Sequence, residues 1–277
     1  MKKNNVFNMI STTCIVLVII GLSIIAIFPF YMMVVMSTYK TTELYTGLKL
    51  FFGSYLVENF KSLMQINLLK YYGNSIFVSA SCAFFTVLVC SLCGYGIGKY
   101  KFKGKKTLLS IVMLTMMVPT QLSMVGFVKE MNFIGWSNTL LPLIIPASAS
   151  AFGVFWIQSF VQDAIPDSVI ESAKLDGCGE LRVFFNIALP FMRPACATLA
   201  LLSFMWSWNS FMLPNVIISK ESNFTIPLGI RQLSTQFQND ISAQILGVTV
   251  ATIPILILFS VFSDNLISGL SSAAVKE

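Results

Sequence analysis

The chain has 277 residues, of which 56% are hydrophobic and 11% are charged, with no histidine and a net charge of +6. Soluble globular domains contain about 25% charged residues, so this composition excludes an ordinary soluble domain. The positive charges are too dispersed for a nucleic-acid-binding surface and suit loops beside anionic headgroups, so we expect membrane lipid as a partner and no nucleic acid.

Six long windows without charged residues predict six membrane-spanning helices. Each window exceeds the roughly 20 residues needed to cross about 30 Å of hydrocarbon. The expected helices cover residues 12–36, 75–98, 108–128, 139–161, 195–218 and 243–267. The predicted fold is therefore an all-α integral membrane protein, with residues 1–277 forming one transmembrane domain.

The first predicted helix has one feature of a cleaved signal peptide, because Lys2 and Lys3 precede its apolar run. That run is too long for a signal peptide and lacks a small-residue cleavage site, so we interpret it as a signal-anchor helix.

Five of the six predicted helices contain proline inside or near an end. One interpretation is ordinary tolerance, since neighbouring helices in a membrane re-satisfy the freed carbonyl groups. The other interpretation is that the prolines kink a bundle that moves. The prolines concerned are Pro29, Pro119, Pro142, Pro146, Pro214 and Pro254.

Lysine and arginine positions predict the orientation. With six spans, the side that holds both termini carries eleven of the eighteen basic residues, including the dense run at residues 99–106. Short loops that are rich in lysine and arginine usually lie on the cytoplasmic side of the membrane. We therefore expect both termini and the loop at residues 163–193 in the cytoplasm.

The six cysteines predict neither a disulfide framework nor a metal site. Most lie within apolar stretches, where cysteine behaves as a small buried hydrophobic residue. Cys90 and Cys93 form one CxxC pair, but no second pair follows and no histidine completes a ligand set.

The loop at residues 163–193 holds eight of the chain's thirty charges. Ser168 and Glu171 have the spacing of a capping box, which predicts the start of a short helix. Gly177 follows about two turns later as a left-handed stop. A second helical pattern then runs to Leu189 and Pro190. This loop is too long and too patterned for a simple linker, so we expect it to have a partner.

The same loop carries a motif that resembles the EAA signature of permease subunits in bacterial binding-protein-dependent ABC sugar importers. The signature reads E-A-A, three residues, G, nine residues, then I-x-L-P. The matching residues here are Glu171, Ser172, Ala173, Gly177, Ile187, Leu189 and Pro190. Ser172 replaces the alanine at the second position of the motif, and because serine is also small, close packing should persist.

The resemblance extends over nearly the whole chain, and the nearest likeness is to the six-helix subunits of maltose-type permeases. The additional stretches are Asn74-Ser75-Ile76, "FIGWSNTLLPLIIP" at 133–146, "SWNSFMLP" at 207–214, "FTIPLGI" at 224–230 and "GLSSAAVK" at 269–276. Ala273 departs from the usual glycine of the last stretch, which weakens any special backbone role there.

The resemblance implies the partners and the mechanism. The first loop helix would be a coupling helix lying in a cleft of a cytoplasmic ABC ATPase, with Glu171 facing a basic residue and Ala173 packing closely. The assembly would contain a second permease subunit, two ATPase copies and an extracytoplasmic solute-binding protein. ATP and magnesium would bind the ATPase, so this chain would hold no cofactor and catalyse no reaction. Transport would proceed by alternating access.

Three other classes of protein fit the sequence less well. An ion-coupled secondary transporter usually holds charged residues within its spans, and the six windows have none. A membrane enzyme is disfavoured because "CGYGIGKY" at 93–100 lacks the serine or threonine of a phosphate loop. A purely structural subunit would not need a two-helix loop.

Candidate substrate contacts are mostly in the fifth predicted span. Trp206, Trp208 and Asn209 combine aromatic faces with an amide, a combination that suits a sugar ring. Gln121 and Gln158 are weaker candidates on the same grounds. Packing within the helix bundle is the alternative role for all five residues. A permease for another small polar solute is the alternative to a sugar permease.

Overall fold

The computed structural model describes the backbone of residues 2–235 and 239–274 and the side chains of residues 12–234 and 239–262. Within these residues the chain is helical and contains no β-strand, which confirms the all-α prediction. Its contacts divide it into two units, Met1–Ile66 with Ile230–Ile253 and Asn67–Gly229 with Pro254–Glu277. The resemblance at residues 269–276 lies outside the described side chains.

The first unit contains the N-terminal helix α1, Lys2–Met36, and the short helix α2, Leu56–Leu63. The buried Asn59 holds the connection between them, because its Nδ2 donates to the carbonyls of Ser37 and Tyr39, both at 2.8 Å. This arrangement satisfies two backbone carbonyls of the turn that follows α1.

The second unit contains most of the remaining helices. They are α3 Leu68–Lys99, α4 Lys105–Met116, α5 Thr120–Phe133, α6 Leu141–Ile144, α7 Ala151–Ala164, α8 Asp167–Leu175, α9 Glu180–Phe191, α10 Arg193–Trp208, α11 Met212–Ile217 and α12 Ile226–Ile230. The helices α13, Gln232–Thr235, and α14, Ile241–Ala274, follow.

Helices α3 and α7 approach closely through small residues. A Cβ atom added at Gly94 of α3 would lie 2.7 Å from the Cβ of Ile157 on α7. One added at Gly153 would lie 2.7 Å from the Sγ of Cys90. Association of helices in lipid depends on van der Waals packing, so glycine at these positions permits the close contact.

Four helical segments are long and apolar enough to cross a membrane, namely Thr12–Met36, Leu68–Lys99, Leu141–Ala164 and Ile241–Phe262. Two bent pairs, α4 with α5 and α9 with α10, raise the number to as many as six among the described residues. The predicted helices at 12–36 and 75–98 lie inside α1 and α3.

The prediction of one continuous helix over residues 108–128 is wrong. The chain bends by 95° between α4 and α5, with Pro119 in an extended conformation at the break. Proline disfavours helical backbone at the residue before it and cannot donate a hydrogen bond, so the first helix ends there.

The prediction of one helix over residues 195–218 is also wrong, since α10 ends at Trp208 and α11 begins at Met212. Pro214 would clash with the carbonyl of Ser210 in a continuous helix. Asn209 ends α10 by donating from its Nδ2 to the carbonyl of Met205 at 2.9 Å. Residues 139–161 are likewise divided, by a 3₁₀ turn at Pro146–Ser148 between α6 and α7.

The cysteines follow the prediction in part. Cys82, Cys90 and Cys196 are buried and Cys178 is half-buried, whereas Cys14 of α1 and Cys93 of α3 are exposed. Burial of a cysteine therefore depends on which face of the helix carries it, which apolar composition does not determine.

Candidate functional site

The charged loop folds into a two-helix hairpin, residues 167–191, formed by α8, a turn at Gly177, and α9. The N–H of Cys178 donates to the carbonyl of Ala173, and the N–H of Gly177 to that of Lys174, both at 3.0 Å. This pair of bonds is a Schellman motif, which requires a left-handed residue. Gly177 meets the requirement with φ +81°, which confirms the predicted helix stop.

The predicted capping box at Ser168 and Glu171 is wrong. α8 begins at Asp167, with Pro166 in the N-cap position, and no side chain caps it. The helix therefore begins before Ser168, which lies inside its first turn. The carboxylate of Glu171 is therefore not used in a cap and stands exposed on α8.

The second helix of the hairpin, α9, contains a π-helical segment at Phe184–Ala188. Pro190 follows inside the helix, and it has no N–H to bond the carbonyl of Asn186. A π-helical turn widens the backbone where a regular helix would clash with the proline ring. Ile187 and Leu189 of the signature are half-buried and pack against the hydrophobic core around Val183.

The signature residues divide into exposed and buried groups. Glu171, Ser172 and Gly177 are exposed, whereas Ala173 is 7% exposed and packs into the core of its own chain. The Oγ of Ser172 donates to the carbonyl of Ser168 within α8 at 2.8 Å, so the substitution for alanine adds only a local bond. Glu171 forms no ion pair with any described residue.

One ion pair joins the start of the hairpin to α3, and a second crosses the turn within the hairpin. Lys99 Nζ lies 2.8 Å from Asp167 Oδ1, and Lys174 Nζ lies 2.7 Å from Glu180 Oε1. The hydrogen bond from Lys99 lowers the pKa of Asp167 below its usual value. Hydrogen bonds from Lys174 and then Tyr100 lower the pKa of Glu180 in the same way. Both carboxylates are therefore fully ionised near neutral pH.

A cavity of about 490 Å³ lies within the second unit. Its wall is formed by α3, α5, the segment from α6 to α7, α10, α11 and Thr225, and every lining residue is uncharged. Its volume falls within the roughly 300–1,000 Å³ typical of small-molecule sites. The aromatic residues of the wall are Phe127 and Trp206.

Serine and threonine account for most of the polar side chains that line this cavity. Thr86 and Ser123 are satisfied by carbonyls, at 3.3 Å from Ala147 and 2.9 Å from Thr120. The buried hydroxyls of Ser203 and Thr225 have no hydrogen-bond partner among the described residues. A buried polar group without a partner is costly, so these two hydroxyls indicate room for a polar ligand or ordered water.

Two of the five candidate substrate contacts line the cavity, namely Gln121 and Trp206. Trp206 is 53% exposed and packs edge to face against Phe152, with ring centroids 5.4 Å apart. The remaining candidates lie elsewhere. Asn209 bonds its own helix, and the backbone of Gln158 lies against Gly94 in the contact between α3 and α7.

Trp208 occupies the packed interior rather than the cavity wall. It is 2% exposed and lies between Tyr72 and Phe204, with ring centroids at 5.9 and 5.7 Å. Residues two apart on a helix point in different directions, so neighbouring tryptophans at 206 and 208 meet different surroundings.

Sequence reasoning missed Lys99, Tyr100, Ser203 and Thr225. The position of Lys99 at the end of an apolar window was the one available signal, since such a lysine extends toward water or an acidic partner. The hydroxyl residues carried no signal, because serine and threonine are common in membrane helices and only the folded wall collects them.

Comparison with known proteins gives a family for residues 90–273, which match the model described as "Binding-protein-dependent transport system inner membrane component". The match covers more than half of the chain and includes both the hairpin and most of the cavity wall.

Two relatives match nearly the full length of the chain. The arabinooligosaccharides transport system permease protein AraQ of Halalkalibacterium halodurans is 30% identical over 260 residues, covering 92% of this chain and 93% of AraQ. The lactose transport system permease protein LacG of Rhizobium radiobacter is 30% identical over 247 residues, covering 89% of this chain and 90% of LacG.

A solved structure shares the fold. It belongs to a bacterial ABC transporter involved in the import of the acidic polysaccharide alginate, and it matches with a TM-score of 0.76 at 17% identity. The match covers 95% of this chain and 98% of the other.

Proposed function

The chain belongs to the family of inner membrane components of binding-protein-dependent transport systems, and from this premise we propose that it is the permease subunit of an importer for an uncharged sugar. Members of this family are membrane-embedded subunits of ABC importers and not enzymes. We propose six spans with both termini in the cytoplasm, a second permease subunit, two copies of an ATPase, and an extracytoplasmic solute-binding protein.

The uncharged cavity is the observation that carries the substrate class. AraQ and LacG are named for neutral sugars, whereas the transporter of the solved structure imports an acidic polysaccharide. An anionic substrate calls for basic side chains, and the cavity wall has none. Trp206 offers an aromatic face for the C–H face of a sugar ring, while Gln121, Ser203 and Thr225 offer hydrogen bonds.

The hairpin is proposed as the docking element for the ATPase. Glu171 is exposed and has no ion pair among the described residues, so its carboxylate is available to a basic residue of the partner. Ala173, Ile187 and Leu189 would support the surface from within, since they pack in or against the hydrophobic core. Pro190 beside them is half-buried. ATP and magnesium would be held by the ATPase.

The test is uptake by right-side-out vesicles that contain the complete transporter and its solute-binding protein and that are loaded with ATP. Lactose or arabinotriose should be accumulated, and a uronate oligosaccharide should not. Uptake should require ATP on the cytoplasmic face and persist when the proton gradient is collapsed. If uptake stops when the proton gradient is collapsed while ATP is unchanged, an ion-coupled transporter is favoured. Uptake of an uncharged solute other than a sugar would favour the alternative substrate class.

The proposed orientation has its own test in intact cells. In a background without native cysteines, a cysteine placed at Ser54 or Asn223 should react with an impermeant thiol reagent. A cysteine at Lys103 or Ser172 should be protected. Labelling at position 103 from outside would contradict the orientation.

A further inference from the structure

The last residue of α3 binds the start of the hairpin. Lys99 Nζ donates to Asp167 Oδ1 at 2.8 Å and also to the carbonyl of Ile165, which joins α7 to α8. The Lys99 side chain is 8% exposed. A buried ammonium must be paired and hydrogen-bonded, so this lysine is committed to the hairpin rather than to solvent.

The next residue, Tyr100, binds the hairpin on both sides of the Gly177 turn. Its hydroxyl donates to the carboxylate of Glu180, the first residue of α9. Lys174, in the last turn of α8, bonds the other oxygen of that carboxylate at 2.7 Å. The same ammonium lies 4.9 Å above the Tyr100 ring. Tyr100 therefore contacts both helices, through a hydrogen bond and a cation–π interaction.

These five residues, Lys99, Tyr100, Asp167, Lys174 and Glu180, form what we call the α3–hairpin junction. The junction adds polar contacts to apolar packing, since Ala173 and Phe184 of the hairpin share a buried cluster with Tyr95 of α3. Its contacts at Asp167 and at Lys174–Glu180 hold the hairpin to the end of α3 at two separated points.

Helix α3 also reaches the cavity. Val78, Cys82 and Thr86 of α3 line its wall, two to four turns before Gly94 packs against α7. A helix is stiff along its axis, so a displacement imposed at Lys99 and Tyr100 reaches these wall residues.

We propose that Lys99 and Tyr100 are positioning residues that carry movement of the hairpin to the cavity wall through α3. The inference rests on the proposed function of the hairpin as the ATPase-docking element. It assigns the transmission to α3 in addition to the direct chain connection through α7.

The test uses the complete transporter, purified through this chain with its partner subunits and held in lipid nanodiscs. The variants are Lys99→Met, Tyr100→Phe and their combination. Lys103→Met is the matched control, since it removes an exposed lysine from the same loop that forms no ion pair with any described residue. The probe is ATP with vanadate. The readouts are the amount of ATPase subunit that co-purifies with this chain and the hydrogen exchange of the amides at residues 78–86.

In wild type and in Lys103→Met, ATP with vanadate should change the exchange of residues 78–86. In the combined variant that change should shrink roughly tenfold, while the retained ATPase stays near the wild-type amount. Lys99→Arg should keep the response, because a guanidinium also donates to both Ile165 and Asp167. If the combined variant does not assemble, Tyr100→Phe decides alone, since it removes one hydroxyl and keeps the ring.

An exchange response equal to that of Lys103→Met would overturn the proposal. A loss of ATPase in proportion to the loss of response would also overturn it, because the junction would then only maintain the docking surface. Failure of the wild-type chain to retain any ATPase would instead refute the proposed function, so the two failures are distinguishable.

Discussion

The hairpin and the cavity use opposite chemistry in one chain. The hairpin is a contiguous stretch with one ion pair at its start, one across its turn, and an exposed carboxylate at Glu171. The cavity collects uncharged residues from positions 78 to 225, and two of its hydroxyls have no partner among the described residues.

This difference matches what each region would have to do. A docking surface in water gains specificity and orientation from charges. A transport cavity must release its ligand, and hydrogen bonds that contribute about 0.5–1.5 kcal/mol each suit weak binding. The two regions should therefore respond differently to substitution and to pH, and four predictions test that contrast.

The largest effect is expected from the paired tryptophans of α10. Trp208→Ala should lower the free energy of unfolding by about 3–5 kcal/mol, because it leaves a void between Tyr72 and Phe204. Trp206→Ala should leave stability nearly unchanged and weaken sugar uptake, because its ring borders the cavity. Thermal unfolding in detergent and uptake in vesicles measure the two effects. Equal losses of stability would show that both rings only support packing.

Reversing the exposed charge of α8 should have the next largest effect. Glu171→Lys should cost roughly 2–5 kcal/mol of ATPase affinity if the residue meets a buried basic partner. Folding should not change, because Glu171 is exposed and outside any cap. The amount of ATPase that co-purifies measures this, and a reciprocal reversal on the ATPase should restore part of it.

The control for this reversal is Asp176→Lys, which changes another exposed carboxylate at the end of the same helix. It should reduce ATPase binding less. An equal effect of both substitutions would show that net charge, rather than the position of Glu171, determines docking.

Substitutions at two glycines of the hairpin test the role of its turn. Gly177→Ser should cost roughly 1–2 kcal/mol, because the residue must keep a left-handed backbone. The added atom meets nothing within 4 Å, so the cost is in the backbone alone. Gly179→Ser is the matched control, since Gly179 has φ −67° and serine is a favoured N-cap residue. ATP hydrolysis by the assembled transporter should fall in Gly177→Ser only. A similar fall in Gly179→Ser would contradict the role of the turn.

The smallest effect is expected from pH. The pKa values of Asp167 and Glu180 are lowered in the folded protein from the ordinary values of 3.8 and 4.5. Their ion pairs therefore stabilise the hairpin at a pH above those ordinary values. This stabilisation is lost as the pH falls through the lowered pKa values. Between about pH 5 and about pH 8 the hairpin should stay fixed to α3.

Electron paramagnetic resonance distances between spin labels at Lys101 and Leu175 measure this in a background without native cysteines. The distribution of distances between the two labels should broaden only in strong acid. Asp167→Asn combined with Glu180→Gln should remove the dependence on pH, and a transition near neutral pH in the parent chain would contradict the assignment.

Much of the fold was predictable because the signals are local. The apolar length of α1 and α3 determines that they are helices long enough to span. The left-handed preference of Gly177 determines where α8 stops. Prolines mark the breaks at Pro119 and before Pro214. The sequence left open whether the helix that contains each proline would continue or bend. The structure shows a bend of 95° at Pro119.

The sequence by itself determined the helical class, the hairpin and its signature, because each depends on residues a few positions apart. Tertiary structure alone decided which residues share a site. Lys99 meets Asp167 across 68 residues, and Trp206 faces the cavity while Trp208 is buried. Such pairings follow from the packing of one helix against another, since the angle and depth of that contact set which side chains meet. The close approach at Gly94 and Gly153 sets that depth between α3 and α7.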